Sequence, residues 1–518
     1  MIYFIYYVFE VIALFDEKKQ NFFVGNDAHW EDIYEENDKA RFYQESETDF
    51  VICNYTPTRS SESECEFIAT LPEKFKKFGL QYVINNEFAN WHGTQVTEDG
   101  HDWCNTDDGC HRMNLTPEFI ATLSRDENFL GLMYDEMEHS IINRNLSLTI
   151  NKIGKHLPVF PLSLANDVVI QGELLRQQCK EFADYHKKNG APRFIGEHVF
   201  PVLFHSFAAS GIIPNFKSQK ESYSVVQYVN AAGAALQYNT ELWNCVDLWC
   251  YNTFPGHSPE EMYYNLWFSY LAGTSRVYVE GASQFFTNGK PNKYAEEYKR
   301  FSTDERRKYR DYTVQDYKPE IGLIRYDDSY WGQCDPFMWR KILLGNQNLK
   351  VTKTAREFTR AFHVVTHGET CRNGLAWDRI SPWSLRPHKS FCSMNGVAVF
   401  DDRVTKDKLT TLKLCFLCGY YISDETIGAV IELVKENGLT VVSPRRFAPE
   451  YIKRQTKGSF SEVQDGKGKW IITNNVLSHK AKKSVKGFLG NKGEMKFTYG
   501  DKTIRMKISK DGNSFEVI

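Results

Sequence analysis

Short apolar runs separated by longer amphipathic segments recur through the first 300 residues, and this rhythm constrains the fold more than any other feature of the 518-residue chain. The runs are rich in β-branched and aromatic residues, which favour strands, and the segments between them repeat apolar residues at helical spacing. Strands are predicted over Phe22–Gly25, Phe50–Asn54, Leu80–Asn85, Phe129–Tyr134, Ile212–Ser218, Cys245–Trp249 and Arg276–Glu280, with Phe194–Gly196 a further candidate. Helices are predicted over Ser63–Phe78, Glu173–Lys188, Ser224–Tyr238 and Ser258–Leu271, the last opened by a Ser-Pro-Glu-Glu start that caps a helix well. Seven or eight such units fit a (β/α)8 TIM barrel better than an open doubly wound sheet, because no Gly-rich phosphate loop follows the first strand.

The rhythm changes twice. The barrel is expected over residues 20–318. From Pro319 the strands Ile321–Tyr326, Leu412–Cys418 and Thr440–Ser443, with a helix at Asp424–Glu436, predict a smaller α/β layer domain over 319–448. Beyond it the segments Gly468–Thr473, Glu494–Tyr499 and Lys502–Ile508, punctuated by Asp-Gly and Asn-Lys-Gly turns, predict a small antiparallel β domain over 449–518. No internal repeat or low-complexity linker is visible.

Composition supports a globular chain: 42% of residues are hydrophobic and 14% aromatic, too many for disorder. The net charge of -3 conceals an uneven distribution. Residues 1–150 carry 28 acidic and 11 basic side chains, whereas residues 451–518 carry 6 and 15. The basic residues of the tail are spread over alternating strand-like segments rather than interleaved with stacking aromatics. They are therefore read as a solvated face or a subunit contact, and nucleic acid is not expected as a partner. Met1–Phe15 is apolar but interrupted by Glu10, too short to span a bilayer, and lacks a basic leader or small-residue cleavage site, so no membrane partner is expected. The 12 cysteines are scattered and read as reduced core residues, pointing to the cytoplasm. Asn-x-Ser/Thr triplets at Asn54, Asn114 and Asn145 do not alter that expectation, although a truncated leader would place the protein outside the cell.

In a (β/α)8 barrel the site lies at the carboxyl ends of the strands, so the residues that finish each apolar run are the candidates. Two runs end in carboxylates: Phe129–Tyr134 leads into Asp135-Glu136, and Arg276-Val-Tyr-Val leads into Glu280. Acids on different strands can face each other across the mouth, as glycoside hydrolysis requires. A lone acid at such a place often merely caps the next helix. Other strand ends supply Asn26, Asp27, His29 and Trp30, then Asn54 and Tyr55, then Asn90, Trp91 and His92, and finally Trp249, Tyr251 and Asn252. Polar groups with aromatic platforms suit sugar hydroxyls and C–H faces. Glu138, Glu197, Asp247 and Glu221 are rival acids. If Phe194–Gly196 is a barrel strand, Glu280 falls on the eighth strand rather than the seventh. The segment His101–His111 carries Cys104 and Cys110, but their five-residue gap is wider than the usual zinc spacing and no second pair accompanies them. A polar loop is expected there, with a disulfide and a metal as alternatives; no metal or cofactor is assigned.

With these residues in place, the chain resembles clan A glycoside hydrolases. Its domain order resembles that of family 42 β-galactosidases and the related family 164 β-mannosidases, which join a barrel to an amidotransferase-like trimerisation domain and a C-terminal β domain. Pro319–Trp331 looks like the strand and aromatic turn opening the trimerisation domain, and Asn395–Asp402 like part of its sheet. The resemblance implies Glu136 as general acid/base and Glu280 as nucleophile. It also implies a homo-oligomer such as a trimer. One departure is Asp135, where the clan usually has an Asn that helps hold the sugar. The expectation is a retaining exo-β-glycosidase acting on β-mannosides or β-galactosides. Asp135, Asn26, His29, Trp30, Asn54, Trp91, His92, Trp249, Tyr251 and Asn252 would contact the sugar. The rivals are a non-catalytic carbohydrate-binding barrel and a zinc hydrolase built on the Cys/His segment.

Overall fold

The computed structural model describes residues 20–29, 38–55, 69–86, 115–138, 164–219, 224–248, 257–327, 342–370 and 389–518. Eight parallel strands close into a barrel in sequence order: β1 Phe23–His29, β2 Phe50–Tyr55, β3 Gln81–Asn86, β4 Phe129–Tyr134, β5 Phe194–His198, β6 Ile213–Ser218, β7 Trp243–Asp247 and β8 Arg276–Glu280. The segment around Phe194 is thus a barrel strand, and Glu280 stands on the eighth.

Alternation along each strand sends one set of side chains inward and the other toward the helices. The lower interior is filled by Phe50, Ile52, Val83, Leu130, Met133, Ile195, Ile213, Trp243, Cys245 and Tyr278. Leu130 and Met133 are three apart, yet both face in, because the pairing of β3 with β4 slips between Tyr82 and Val83. Gly131 permits that slip: its φ is 148°, and a Cβ there would strike the Arg193 carbonyl. The bulge shifts the phase of β4, so that Asp135 continues the inward row begun at Met133.

Helices Pro117–Leu123, Val168–Lys188 and Pro259–Leu271 start on side-chain caps from Thr116, Asp167 and Ser258. Helix Ser224–Tyr238 is different, being buried on nearly every side. It lies between β6 and the strand Val397–Phe400 of a second sheet, and at Gly233 a Cβ would collide with the Val399 carbonyl. Its run of small residues is what lets two sheets share one helix.

That second sheet has six strands in the order Val397–Phe400, Ile321–Arg325, Leu414–Cys418, Thr440–Ser443, Gly468–Thr473 and Phe460–Asp465. The first five are parallel and follow a flavodoxin-like 2-1-3-4-5 order, and the last is antiparallel. This corrects the expected boundary at 448: Gly468–Thr473 pairs with Thr440–Ser443 and belongs to the α/β sheet, not to the terminal β unit. A four-stranded sheet joins Met394–Asn395 to Glu494–Tyr499, Lys502–Ile508 and Phe515–Val517. Six described cysteines are free and buried, and among the described residues no helix is long and apolar enough to cross a membrane.

Candidate active site

At the carboxyl end of the barrel the inward rows turn from apolar to ionic. Lys217, two residues from the inward-facing Asn215 of β6, is fully buried and places its ammonium among five carboxylates. The Nζ lies 2.6 Å from Glu280, 3.1 Å from Glu136, 3.4 Å from both Glu197 and Asp247, and 3.6 Å from Asp135. These acids come from β4, β5, β7 and β8, so closing the barrel is what gathers them. Glu280 is the most accessible, with 23% of its side chain exposed against 6% for Glu136 and 0% for Asp247. Glu280 therefore points furthest toward an incoming ligand.

Glu136 holds a backbone φ of 41°, an unusual conformation for a residue with a side chain. After the bulge, strand alternation would turn Glu136 away from the mouth, and the left-handed turn brings its carboxylate back to Lys217. Strain of this kind persists where the surroundings fix it and is often found at functional sites.

Burial against charge sets the proton balance. Burial raises Asp135 well above the ordinary carboxylate range, Lys217 works against this, and the charges of Glu136 and Glu197 add to it. Burial also pushes Glu197 up to about 7, opposed by Lys217. Burial disfavours the charge on Lys217, but Glu197, Glu280, Glu136 and Asp247 together outweigh it and hold the ammonium well above its usual range. One lysine cannot neutralise five acids, so Lys217 stays charged while some of its neighbours keep protons. Tyr278 donates to Glu197 and accepts from Asn215, at 2.9 Å in the latter case, and the Cys245 thiol donates to Glu280 at 3.2 Å. Burial and the adjacent Glu280 keep that thiol protonated, so it is not a nucleophile.

Glu197, Cys245 and Glu280 also lie close enough to hold a metal ion, their donor atoms all within 4.8 Å of one another. The ammonium of Lys217, in contact with both carboxylates, already takes the position of a cation there. Positive charge at that donor set is thus supplied from within the protein.

The other candidates divide. Asn54 faces the mouth, donating toward Asp27 at 3.5 Å and accepting from Asn85 at 3.1 Å, while Asp27 accepts from the Ala282 amide at 2.7 Å. Asn26 is a correction: it faces outward, donating to Tyr298 at 3.3 Å beneath helix Lys293–Ser302. Glu138 also leaves the cluster, accepting from the amides of Val199 and Phe200 at 2.7 and 2.9 Å, which ties the ends of β4 and β5 together. His29 ends β1 opposite Asn54. Trp30, Trp91, His92, Cys104, Cys110, Glu221, Trp249, Tyr251 and Asn252 lie outside the described residues. Sequence reasoning passed over Lys217, a lysine inside an apolar strand pattern (Ile213-Pro-Asn-Phe-Lys-Ser) flanked on other strands by acids.

No known protein family and no curated protein matches the chain by sequence. Among solved structures, an exo-carrageenase of family 42 from Bacteroides ovatus is similar at 9% identity and a TM-score of 0.46, covering 92% of this chain and 72% of its own. The catalytic module of a family 98 glycoside hydrolase from Streptococcus pneumoniae is similar at 10% identity and a TM-score of 0.45, covering 95% and 75%. A family 5 enzyme from Bifidobacterium longum gives 10% identity and a TM-score of 0.37, covering 62% and 83%. The acid that the sequence resemblance implies as nucleophile, Glu280, stands at the end of the eighth strand rather than the seventh, which ends in Asp247 in register with it.

Proposed function

We propose that the barrel is a retaining glycoside hydrolase. The observation that carries this reading is that Glu136 and Glu280, from opposite flanks of the mouth, contact the same ammonium, at 3.1 and 2.6 Å. Their nearest oxygens therefore lie no further apart than those two contacts allow. That supports the separation of about 5 to 5.5 Å used in double displacement over the roughly 6.5 to 9.5 Å that leaves room for a water. Glu280, the more exposed and the closer to Lys217, attacks the anomeric carbon. Glu136, crowded by Asp135 and Glu138, gives its proton to the departing oxygen and then takes one from the water that cleaves the glycosyl-enzyme. Lys217 keeps Glu280 anionic without being consumed; its own charged state makes it a poor amine nucleophile.

Exo action on β-mannosides or β-galactosides, and assembly as a homotrimer, are carried from the sequence resemblance. A panel of nitrophenyl glycosides, with the anomeric configuration of the first product followed by NMR, tests the chemistry; light scattering tests the assembly. Near-normal turnover by Glu280→Gln would end the assignment. One observation favours a second mechanism: Asp247, paired with Glu280 across β7 and β8, lies further from Lys217 at 3.4 Å, so with Glu136 protonating the departing oxygen Asp247 could activate a water for a single displacement. Inversion at the anomeric carbon would select that mechanism.

A further inference from the structure

Outside the barrel, a cleft of about 610 Å³ opens between the end of helix Glu357–Val365 and helix His479–Val485 with the turn that follows it. His363 and His367 line one wall, and His479, Lys482, Lys483 and Lys486 line the other. The second set falls at i, i+3, i+4 and i+7, which puts all four on one helical face in a row about 10 Å long. The histidines are pinned by backbone: His363 through the Thr370 carbonyl, and His367 through the Leu489 carbonyl at 3.1 Å, which spans the cleft.

The three lysines are set apart by lining one cleft together; Lys457, Lys467 and Lys510 are also exposed and without a carboxylate partner among the described residues, but do not line it. Lys453, Lys469, Lys496 and Lys502 each pair with a carboxylate, from Glu450, Glu462, Glu320 and Asp311. Among the described residues, Lys482, Lys483 and Lys486 pair with none, and all three are exposed. Glu369, on the turn leaving the cleft, is instead engaged by the Ser393 amide and hydroxyl at 2.7 and 2.9 Å. Like charges at helical neighbours repel. Here they stand together on a pre-shaped concave wall with the nearby acid turned away, an arrangement that suits an external anion.

We propose that this cleft binds an anionic glycan chain, carrying sulfate or carboxylate groups, at a distance from the catalytic residues. A row of cations asks for several anionic groups in sequence rather than a single phosphate. Among the described residues no Phe, Tyr or Trp lines the cleft, so nucleic-acid bases would find only the imidazoles of His363, His367 and His479 to stack on. The choice of a glycan over other polyanions rests on the glycoside-hydrolase reading.

The test uses the full chain and fluorescently labelled dextran sulfate, oligogalacturonate, neutral dextran and oligothymidylate, measured by anisotropy. The cleft variant is Lys482→Ala/Lys483→Ala/Lys486→Ala. The control, Lys457→Ala/Lys467→Ala/Lys510→Ala, removes the same charge from exposed sites elsewhere. The expected result is binding of dextran sulfate, oligogalacturonate or both, no binding of neutral dextran, a loss of at least tenfold in the cleft variant and less than twofold in the control. Whichever charged arm binds identifies the anion. Equal loss in both variants, absence of binding by the natural protein, or tighter binding of oligothymidylate would overturn the proposal. Hydrolysis of nitrophenyl glycosides by the cleft variant is expected to be unchanged. Binding without any hydrolysis would remove the catalytic reading and leave the cleft, and hydrolysis without binding would do the reverse.

Discussion

At the barrel mouth one buried ammonium faces five carboxylates, whereas in the basic cleft three exposed lysines pair with none among the described residues. The mouth takes its charges from four strands plus Lys217, brought together only by closure of the barrel. The cleft takes most of its charge from one helix and the turn after it. Burial makes the mouth a place where protons are redistributed: low dielectric strengthens each interaction and penalises each unpaired charge. Exposure leaves the cleft as a surface field, screened by salt and suited to holding a ligand rather than reacting with it. The same residue type thus tunes acids in one place and attracts anions in the other.

The largest expected effect lies in the mouth. Glu280→Gln should lower turnover on nitrophenyl glycosides by on the order of 10⁴-fold, and Glu136→Gln by about 10³-fold on substrates with poor leaving groups. Both proteins should fold, since each change is close to isosteric. Steady-state kinetics on the purified variants decide this, and a loss below tenfold in either would remove that residue from the chemistry.

Lys217→Met comes next. Removing the ammonium leaves buried carboxylates without their cation, which should cost about 3 to 5 kcal/mol of stability near neutral pH. The direction with pH is fixed. Without Lys217 the acids hold protons more tightly when folded than when unfolded, so stability falls as pH rises. The deficit in thermal melts should therefore shrink on going from pH 8 to pH 5. A variant as stable as the natural protein at pH 8 would mean that the ammonium is not what balances the mouth.

How much of this was legible in the sequence follows the same divide between local and assembled features. The barrel was legible because each strand and helix carries its own periodicity, and the acids at Glu136 and Glu280 because they end apolar runs. Register was not legible. The slip at Gly131 depends on what a Cβ would meet on the neighbouring strand, so the inward turn of Asp135 and the need for a left-handed Glu136 could not be counted from spacing. Asn26 was misplaced for a related reason: a strand end does not say which of two adjacent residues faces in. The boundary at 448 failed because Gly468–Thr473 alternates like an edge hairpin, yet pairs in parallel with a strand met earlier in the chain. Lys217 has only the local signal of a lysine within a strand, since its five partners are distant in sequence.

Glu197 gives a smaller effect, read in pH rather than in magnitude. Its carboxyl is raised from 4.5 to about 7, mainly by burial, so in the folded protein it keeps a proton that the unfolded chain has released. By linkage this group lowers stability as pH rises from about 4.5 through 7. His186, lowered to about 4 mainly by burial, has the opposite slope between about 4 and 6.5, so the informative quantity is the difference between Glu197→Gln and the natural protein. That difference should grow in favour of the variant above pH 6. A limb of kcat/KM near pH 7 is expected from the same group and should disappear in Glu197→Gln. A limb that persists in Glu197→Gln belongs to another acid of the cluster.

The smallest effect separates charge that does chemistry from charge that only joins elements. Glu138 is as buried as the mouth acids, and burial together with the Glu136 charge raises it well above the ordinary range, with the Val199 and Phe200 amides opposing. Its position is set by those amides and not by Lys217. Glu138→Gln keeps an acceptor oxygen for them and removes a charge that burial penalises, so it should change stability by no more than about 1 kcal/mol and turnover by only a few-fold. Glu138→Ala, which abandons both amides, should cost about 1 to 3 kcal/mol. If Glu138→Gln instead lost activity as deeply as Glu136→Gln, the acids of β4 would act as one proton-sharing unit, and the division between the cluster around Lys217 and the carboxylate behind it would no longer hold.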